Sequence, residues 1–115
     1  MRRVSVGNVL TANTKTTVYT TPSNYSAQWD MLYITNATGT NKTVSVWWYD
    51  KSKNLEITII DSYPITAREF LKFDGTSYVI LEDGDEIRII TETGSTMSCV
   101  NSFELNPANS TSSLS

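Results

Sequence analysis

Short runs of apolar and β-branched residues alternate with turn-forming residues along most of this chain. The run from Leu10 to Pro22, in which threonine predominates, is the clearest example. Thr and Val pack well on a pleated strand, whereas Gly, Pro, Asp and Asn mark the breaks between strands. Turn signals recur about every 8 to 12 residues, the spacing expected of a sandwich or barrel. The pattern therefore predicts an all-β domain, with no amphipathic helix of useful length.

The predicted architecture is an antiparallel β-sandwich of about eight or nine short strands, with either jelly-roll or immunoglobulin-like topology. We expect one sandwich domain over residues 1–105, followed by a polar Ser/Thr-rich arm over residues 106–115. The predicted strands are Val4–Leu10, Lys15–Thr20, Trp29–Asn36, Thr43–Tyr49, Leu55–Ser62, Glu69–Phe73, Ser77–Leu81, Glu86–Thr91 and Met97–Phe103.

Glycine-containing turn signals indicate how these strands are joined. The signals are Thr38-Gly39, Asp74-Gly75, Asp83-Gly84 and Thr93-Gly94. Each places a residue that tolerates positive φ between two apolar runs, as in a β-hairpin. Asp74-Gly75 and Asp83-Gly84 are the strongest of these hairpin signals.

Alternation of side chains assigns the residues of two strands to faces. In the strand 43–49, the predicted core residues are Val44, Val46 and Trp48. In the strand 55–62, the predicted core residues are Leu55, Ile57 and Ile59. Apolar residues then remain on the nominally solvent-exposed faces: Trp47, Tyr49 and Ile60.

The outward aromatic residues Trp47 and Tyr49 have three interpretations. Trp and Tyr tend to anchor protein contacts, and an open apolar patch usually binds a partner. The same rings could instead stack on sugars, or both sheets could bury them and the face assignment would be wrong. We take Trp47, Tyr49 and Ile60 as candidate protein-contact residues.

Length and charge narrow the classes of function. A chain of 115 residues has the usual length of a single domain. Its net charge of −3 argues against a nucleic-acid partner, because phosphate binding needs clustered Lys or Arg. The chain also lacks the roughly 20 apolar residues of a membrane-spanning helix and the apolar core of a signal peptide. We therefore expect no nucleic acid, no membrane and no export by the signal-peptide route.

Candidate chemistry is sparse. The chain has no histidine, which excludes Ser-His and Cys-His nucleophiles in their usual forms. Its single cysteine, Cys99, can form neither an internal disulfide nor a zinc site, and we expect it to be buried and inert. Neither glycine-rich phosphate-binding pattern occurs. The sequence therefore predicts no catalytic residue, no cofactor and no metal site.

One dense acidic cluster occupies residues 82–86, with the letters E-D-G-D-E. Carboxylates in a flexible loop could hold calcium, but the ligand spacing of an EF-hand is absent. A solvated hairpin turn is the favoured interpretation. A two-carboxylate glycosidase is less favoured still, because it needs a cleft that so small a sandwich rarely supplies.

Both ends of the chain are polar. A Ser/Thr-rich segment has little apolar surface to bury, and it gains order chiefly by lying across another chain. Either the domain itself or a neighbouring subunit could hold the ends, and we expect a neighbouring subunit. The terminal candidates for protein contact are Met1, Arg2, Arg3, Pro107 and Ser115.

Three segments of the chain carry a resemblance to a known group of proteins. They read G-N-V-L-T-A-N-T-K-T-T-V-Y-T-T-P from Gly7, I-T-N-A-T-G-T-N-K-T-V-S-V from Ile34 and V-I-L-E-D-G-D-E-I-R-I from Val79. Together they resemble small virion proteins of tailed bacteriophages, over roughly Gly7 to Phe103. The shared motifs are strands and turns, and they carry no catalytic signature.

The resemblance implies a non-enzymatic structural protein located in the virion. The first expectation is a capsid decoration or cement protein that binds phage capsid proteins and copies of itself through many weak contacts. A tail adaptor or fibre component, which would bind tail proteins, is the alternative within the same particle. A carbohydrate-binding module for host surface glycans, using the outward aromatic rings, is the alternative from another class.

Overall fold

Eight β-strands make up most of the computed structural model, which describes residues 2–107 and, for residues 74–78, the backbone alone. The predicted all-β domain is confirmed. One short 3-10 turn, Lys51–Lys53, joins the fourth strand to the fifth. The strands are β1 (Arg2–Leu10), β2 (Thr16–Thr20), β3 (Tyr25–Asn36), β4 (Lys42–Asp50), β5 (Leu55–Ile65), β6 (Phe70–Leu81), β7 (Glu86–Thr91) and β8 (Met97–Pro107).

The strands form two antiparallel four-stranded sheets. Sheet A has the order β1-β8-β3-β6, and sheet B has the order β2-β7-β4-β5. Every connection crosses from one sheet to the other except that between β4 and β5. This is the double-sheet arrangement of an eight-stranded jelly roll. Of the two topologies that the sequence left open, the chain therefore adopts the jelly roll.

Apolar side chains from both sheets meet between them and form the core. Ile34 of β3, Val46 of β4, Ile89 of β7 and Phe103 of β8 are each at most 1% exposed. Burying a side chain of this size stabilises the fold by about 1.5–3 kcal/mol. The core contribution of Val44 and Val46 is as predicted, and Trp48 packs against the same cluster.

Two buried asparagines connect strand ends to their surroundings. The Asn36 amide donates to the carbonyl of Ile65 at 2.9 Å and accepts from the Thr38 N–H at 2.9 Å. Asn101 accepts from the indole N–H of Trp29 at 3.0 Å. Because a buried polar group is costly without a partner, these bonds hold the C-terminal end and the middle of β3 in one position.

The predicted hairpins are wrong, although three of the four turn signals do lie between strands. Asp74-Gly75 lies inside β6, where the pairing with β3 shifts register between Trp29 and Met31, so two predicted strands are one. The other three glycine signals lie between strands of different sheets. Local turn chemistry bends the chain, but the strand that pairs next is decided by the packing of both sheets.

The ends of the sandwich also differ from the prediction. β1 begins at Arg2, and β8 continues through Asn106 and Pro107, which pair with Ser26 and Tyr25. The sheet therefore includes the start of the predicted C-terminal arm. Residues 108–115 of that arm lie outside the described residues.

Candidate contact surfaces

Trp47 and Tyr49 lie on the outer face of sheet B, away from the core. The flanking residues Val46 and Trp48 face inward, since the first is fully buried and the second packs against the core. Trp47 and Tyr49 are half-buried. The interpretation that both sheets bury these rings is therefore wrong, and the predicted face is confirmed.

A cation covers each of the two rings. The Lys15 ammonium lies 4.0 Å from the centroid of the Trp47 ring, and the Arg88 guanidinium lies 4.1 Å from that of Tyr49. Cations over aromatic faces are attracted by the ring quadrupole, by about 0.5–1 kcal/mol at exposed sites. The Tyr49 hydroxyl also donates to the Asn54 side chain at 2.6 Å. Neither aromatic residue is an open platform.

Carboxylates hold the two cations in place. Glu56 accepts from Lys15 and from Arg88 at 2.9 Å each, and Glu86 accepts from Arg88 at 2.9 Å. Hydrogen bonds from Lys15 and then Arg88 lower the pKa of the Glu56 carboxyl. Each of the two cations is therefore paired with at least one carboxylate.

This arrangement limits what the aromatic surface can bind. A sugar that stacked on Trp47 would have to displace Lys15 and break its ion pair with Glu56. A protein partner would meet charged and polar groups before it reached either ring. In the structure, the contacts of Trp47 and Tyr49 with these charged groups therefore stabilise sheet B.

Ile60, predicted to face solvent, is buried in the core at 7% exposure. The predicted core residues of the same strand, Leu55, Ile57 and Ile59, are all exposed. Alternation fails because β5 shifts register against β4 on either side of Val46. One shift leaves Ile59 as an extra residue and turns the next side chain, Ile60, inward. Ile60 is therefore not available for contact at the surface.

The terminal candidates are divided between the sheet and the undescribed ends. Arg2 and Arg3 belong to β1, and Arg3 forms ion pairs with Asp30 at 3.5 Å and Glu104 at 3.6 Å. Pro107 is the exposed last residue of β8. The remaining two candidates, Met1 and Ser115, lie outside the described residues.

A set of exposed apolar residues that the sequence analysis missed lies on β5 and β6. We call these residues the β5–β6 side: Leu55, Ile57, Ile59, Tyr63, Phe70, Phe73 and Ile80. Phe70 is 52% exposed although it stacks on Tyr33 with 5.0 Å between ring centroids. The two strands end their respective sheets and follow one another in the chain. Because strand order cannot be read from alternation, the pattern of residues does not identify these two strands as edges.

The acidic loop at residues 82–86 has a structural role. Asp85 is 1% exposed, and it accepts hydrogen bonds from the backbone N–H groups of Lys51 at 3.0 Å and Glu82 at 2.9 Å. The indole N–H of Trp48 donates to it at 3.2 Å. The expectation of a solvated turn is therefore wrong for Asp85. Its oxygens already have three donors, which leaves them poorly placed to bind a cation.

Two further features carry no reactive chemistry. Cys99 is buried as predicted, and burial raises the pKa of its thiol to about 11. A shallow depression of about 350 Å³ is lined by Arg3, Asp30 and Ser102, among others. Its Arg3 is paired with carboxylates and 71% exposed, so no strained or isolated charge is present there.

Among the side chains of residues 2–73 and 79–107, acidic residues and cysteine form no group of three that could hold a metal ion. The same part of the chain contains no helix of the length and apolarity needed to cross a membrane. Comparison with protein-family models, with curated proteins and with solved structures finds no match to this chain.

Proposed function

We propose that this chain is a non-enzymatic structural protein of a bacteriophage virion, and that it decorates or cements the capsid. The fold is compatible with this role, because jelly rolls occur in viral capsid proteins. Jelly rolls also occur in lectins and cupins, so the fold alone does not select a function. The resemblance of the three sequence segments to phage virion proteins favours the capsid role.

The observation that carries the proposal is the β5–β6 side. Large exposed apolar side chains are a liability in a protein that stays alone, since they promote aggregation. Seven large apolar side chains of these two consecutive strands are exposed, and large exposed apolar areas on soluble proteins usually mark interaction sites. A subunit that is held in a larger particle covers such a surface in its assembled state. We therefore assign the capsid contact to the β5–β6 side rather than to Trp47 and Tyr49.

The test is binding to shells that lack this protein. The purified chain is expected to cosediment with preformed capsids and to raise the temperature at which they lose their contents. The double variant Leu55→Lys with Ile59→Lys adds two charges to the β5–β6 side and should abolish both effects. A matched variant, Thr14→Lys with Ser23→Lys, adds the same charge at exposed positions elsewhere and should bind as the wild type does.

The same experiment separates the alternatives. Binding to isolated tails but not to shells would replace the decoration role with a tail adaptor or fibre role. Retention on host polysaccharide that is lost in Trp47→Ala would favour the carbohydrate-binding module. The ion pairs over Trp47 argue against that outcome, because they occupy the ring face on which a sugar would stack.

A further inference from the structure

The edge strand β1 differs from the other edges of the sandwich. The pairings of β2, β5 and β6 with their inner neighbours all shift register. β1 pairs with β8 over nine consecutive residues without a shift. Bulges and irregular pairing are devices by which proteins protect an edge against another strand. Over its described length, β1 carries no such irregularity and no proline.

The side chains of β1 also leave its edge open. Charged residues are confined to its first two positions, Arg2 and Arg3. Val4 and Val6 pack against the core, and Val9 is 86% exposed. Because β1 ends sheet A, alternate N–H and C=O groups along it point away from β8. Such a row of groups is a ready template for another extended strand.

Gly7 is a second sign that another chain approaches β1. A Cβ at this position would meet the Cys99 carbonyl oxygen at 3.8 Å, an ordinary contact, so the described surroundings do not require glycine. Glycine inside a strand weakens it, and it often marks a bulge or a close approach of another backbone. The unbroken pairing of Gly7 with Val100 excludes a bulge. The approach of another strand explains this glycine.

We propose that β1 pairs antiparallel with β1 of a second copy of this chain, about a twofold axis at Val6. This pairing joins the two A sheets into one continuous sheet. With the axis at Val6, every residue of β1 is paired with a residue of the other β1, and Arg2 of one copy lies opposite Leu10 of the other. Inward residues then meet inward residues, because cross-strand partners share a face. The proposal deepens the proposed function, and rests on it in part, since self-association is one of the contacts expected of a particle subunit.

The charges of β1 favour a second copy in this orientation. Antiparallel pairing places the two Arg2-Arg3 ends at opposite ends of the paired strands, roughly 20 Å or more apart at the rise of a β-strand. That distance exceeds the screening length of about 8–10 Å at ordinary salt, so the arginines do not repel strongly. A parallel pairing would set them side by side. Twofold pairing of identical surfaces is also the commonest geometry of soluble oligomers.

The first test measures the mass of the purified full chain in solution. Light scattering after size-exclusion chromatography, over a range of concentrations, is expected to show a dimer that dissociates on dilution. In the variant Ser5→Lys with Gly7→Lys, each new lysine lies opposite a lysine of the second copy. Like charges directly opposite are destabilising, so the dissociation constant should rise by roughly tenfold or more. A chain that is monomeric at all concentrations would overturn the proposal.

The second test locates the axis by disulfide formation. Val6→Cys should give a covalent dimer under mild oxidation, because the two thiols face each other across the axis. Val9→Cys is the matched control, since it is the more exposed position but lies far from its counterpart in the paired strands. The wild type, whose single cysteine is the buried Cys99, is the negative control. Equal cross-linking of both variants would indicate random collision and would contradict the proposal.

The two proposals fail separately in these experiments. The Leu55→Lys with Ile59→Lys variant should lose capsid binding and keep the dimer. The Ser5→Lys with Gly7→Lys variant should lose the dimer and keep the apolar β5–β6 side. A dimer that survives the β1 lysines but is lost with the β5 lysines would move the self-contact to β5 and overturn the β1 assignment.

Discussion

The Lys15 ammonium lies 4.0 Å from the centre of the Trp47 ring and donates to Glu56 at 2.9 Å. Lys15 precedes β2, Trp47 lies on β4 and Glu56 lies on β5. Three segments that are distant in sequence therefore combine to cover one indole ring. Alternation along β4 identifies the face on which Trp47 lies, but it does not show what lies over that face.

Replacing Lys15 by methionine should destabilise the fold by about 1 kcal/mol. Met keeps much of the apolar stem over Trp47 but removes the cation–π attraction and the surface ion pair. Lys15→Arg keeps both interactions and serves as the control. The free energy of unfolding, from urea titrations followed by tryptophan fluorescence, measures the difference. Equal values for the Met and Arg variants would show that the charge contributes nothing.

The stabilisation from Glu56 should disappear in acid. Its pKa is lowered below 4.5 in the folded chain, by hydrogen bonds from Lys15 and then Arg88. The ionised form therefore stabilises the fold above the unfolded pKa, and this effect is lost as the pH falls through the folded pKa. At pH 7, Glu56→Gln should cost about 1 kcal/mol or less, as for other exposed ion pairs. The free energy of unfolding of both proteins, measured over a range of pH, tests this. A difference between Glu56→Gln and the wild type that does not narrow below pH 4.5 would contradict it.

Two neighbouring isoleucines should respond very differently to truncation. Ile60→Ala removes a buried side chain and should cost about 2–4 kcal/mol, including the cavity that it leaves. Ile59 is 37% exposed, and Ile59→Ala should cost less than about 1 kcal/mol. Chemical denaturation of both variants tests the register shift of β5 directly. A larger effect at Ile59 would restore the alternation predicted from the sequence.

The strands of this fold were predictable from local patterns, because alternation and β-branched residues determine which segments are extended. Val44 and Val46 face the core as alternation requires. The same rule fails at Ile60, where one extra residue in β5 reverses the faces. A bulge depends on how β5 meets β4, and a one-residue slip moves every following side chain to the other face.

The topology and the contact surface could not be predicted in the same way. Gly84 does adopt positive φ, as its turn signal requires, but the turn leads from sheet A to sheet B. Which strands become edges follows from the order of all eight strands. The exposure of residues such as Phe70 and Leu55 is a consequence of that order. The contact surface that we propose, the β5–β6 side, could therefore not be inferred from single strands.

Of the residues in the acidic loop, Asp85 should cause the largest loss of stability when it is replaced. Asp85→Ala leaves three partly buried N–H donors without their acceptor, and each lost hydrogen bond to this carboxylate costs about 1–3 kcal/mol. We expect a total of at least about 3 kcal/mol, or failure to fold, with a smaller loss in Asp85→Asn. Asp83 accepts one exposed hydrogen bond from Asn24, so Asp83→Ala should cost about 1 kcal/mol.

A calcium titration of the wild type completes this test of the loop. The oxygens of Asp85 already accept from protein donors, so we expect no change in the melting temperature on adding calcium. A rise that Asp83→Ala abolishes would instead identify the loop as a calcium site.

Replacing the turn glycine Gly84 should lower the free energy of unfolding. Its φ is +82°, a conformation that costs an L-residue with a Cβ about 1–2 kcal/mol. A Cβ there would also collide with the Lys51 side chain, which is flexible and can move. Gly84→Ala should therefore lose about 1–2 kcal/mol of unfolding free energy, and Gly84→Asn should lose less, since Asn tolerates this conformation.

Two controls separate backbone strain from the collision at Gly84. Gly39 does not have positive φ, and its added Cβ would meet Arg68 at an ordinary 3.9 Å, so Gly39→Ala should change stability by less than about 0.5 kcal/mol. Adding Lys51→Ala to Gly84→Ala relieves the collision without changing φ. If the double variant recovers wild-type stability beyond the effect of Lys51→Ala alone, the collision is responsible. If the loss persists, as we expect, the left-handed backbone of the turn is what requires glycine.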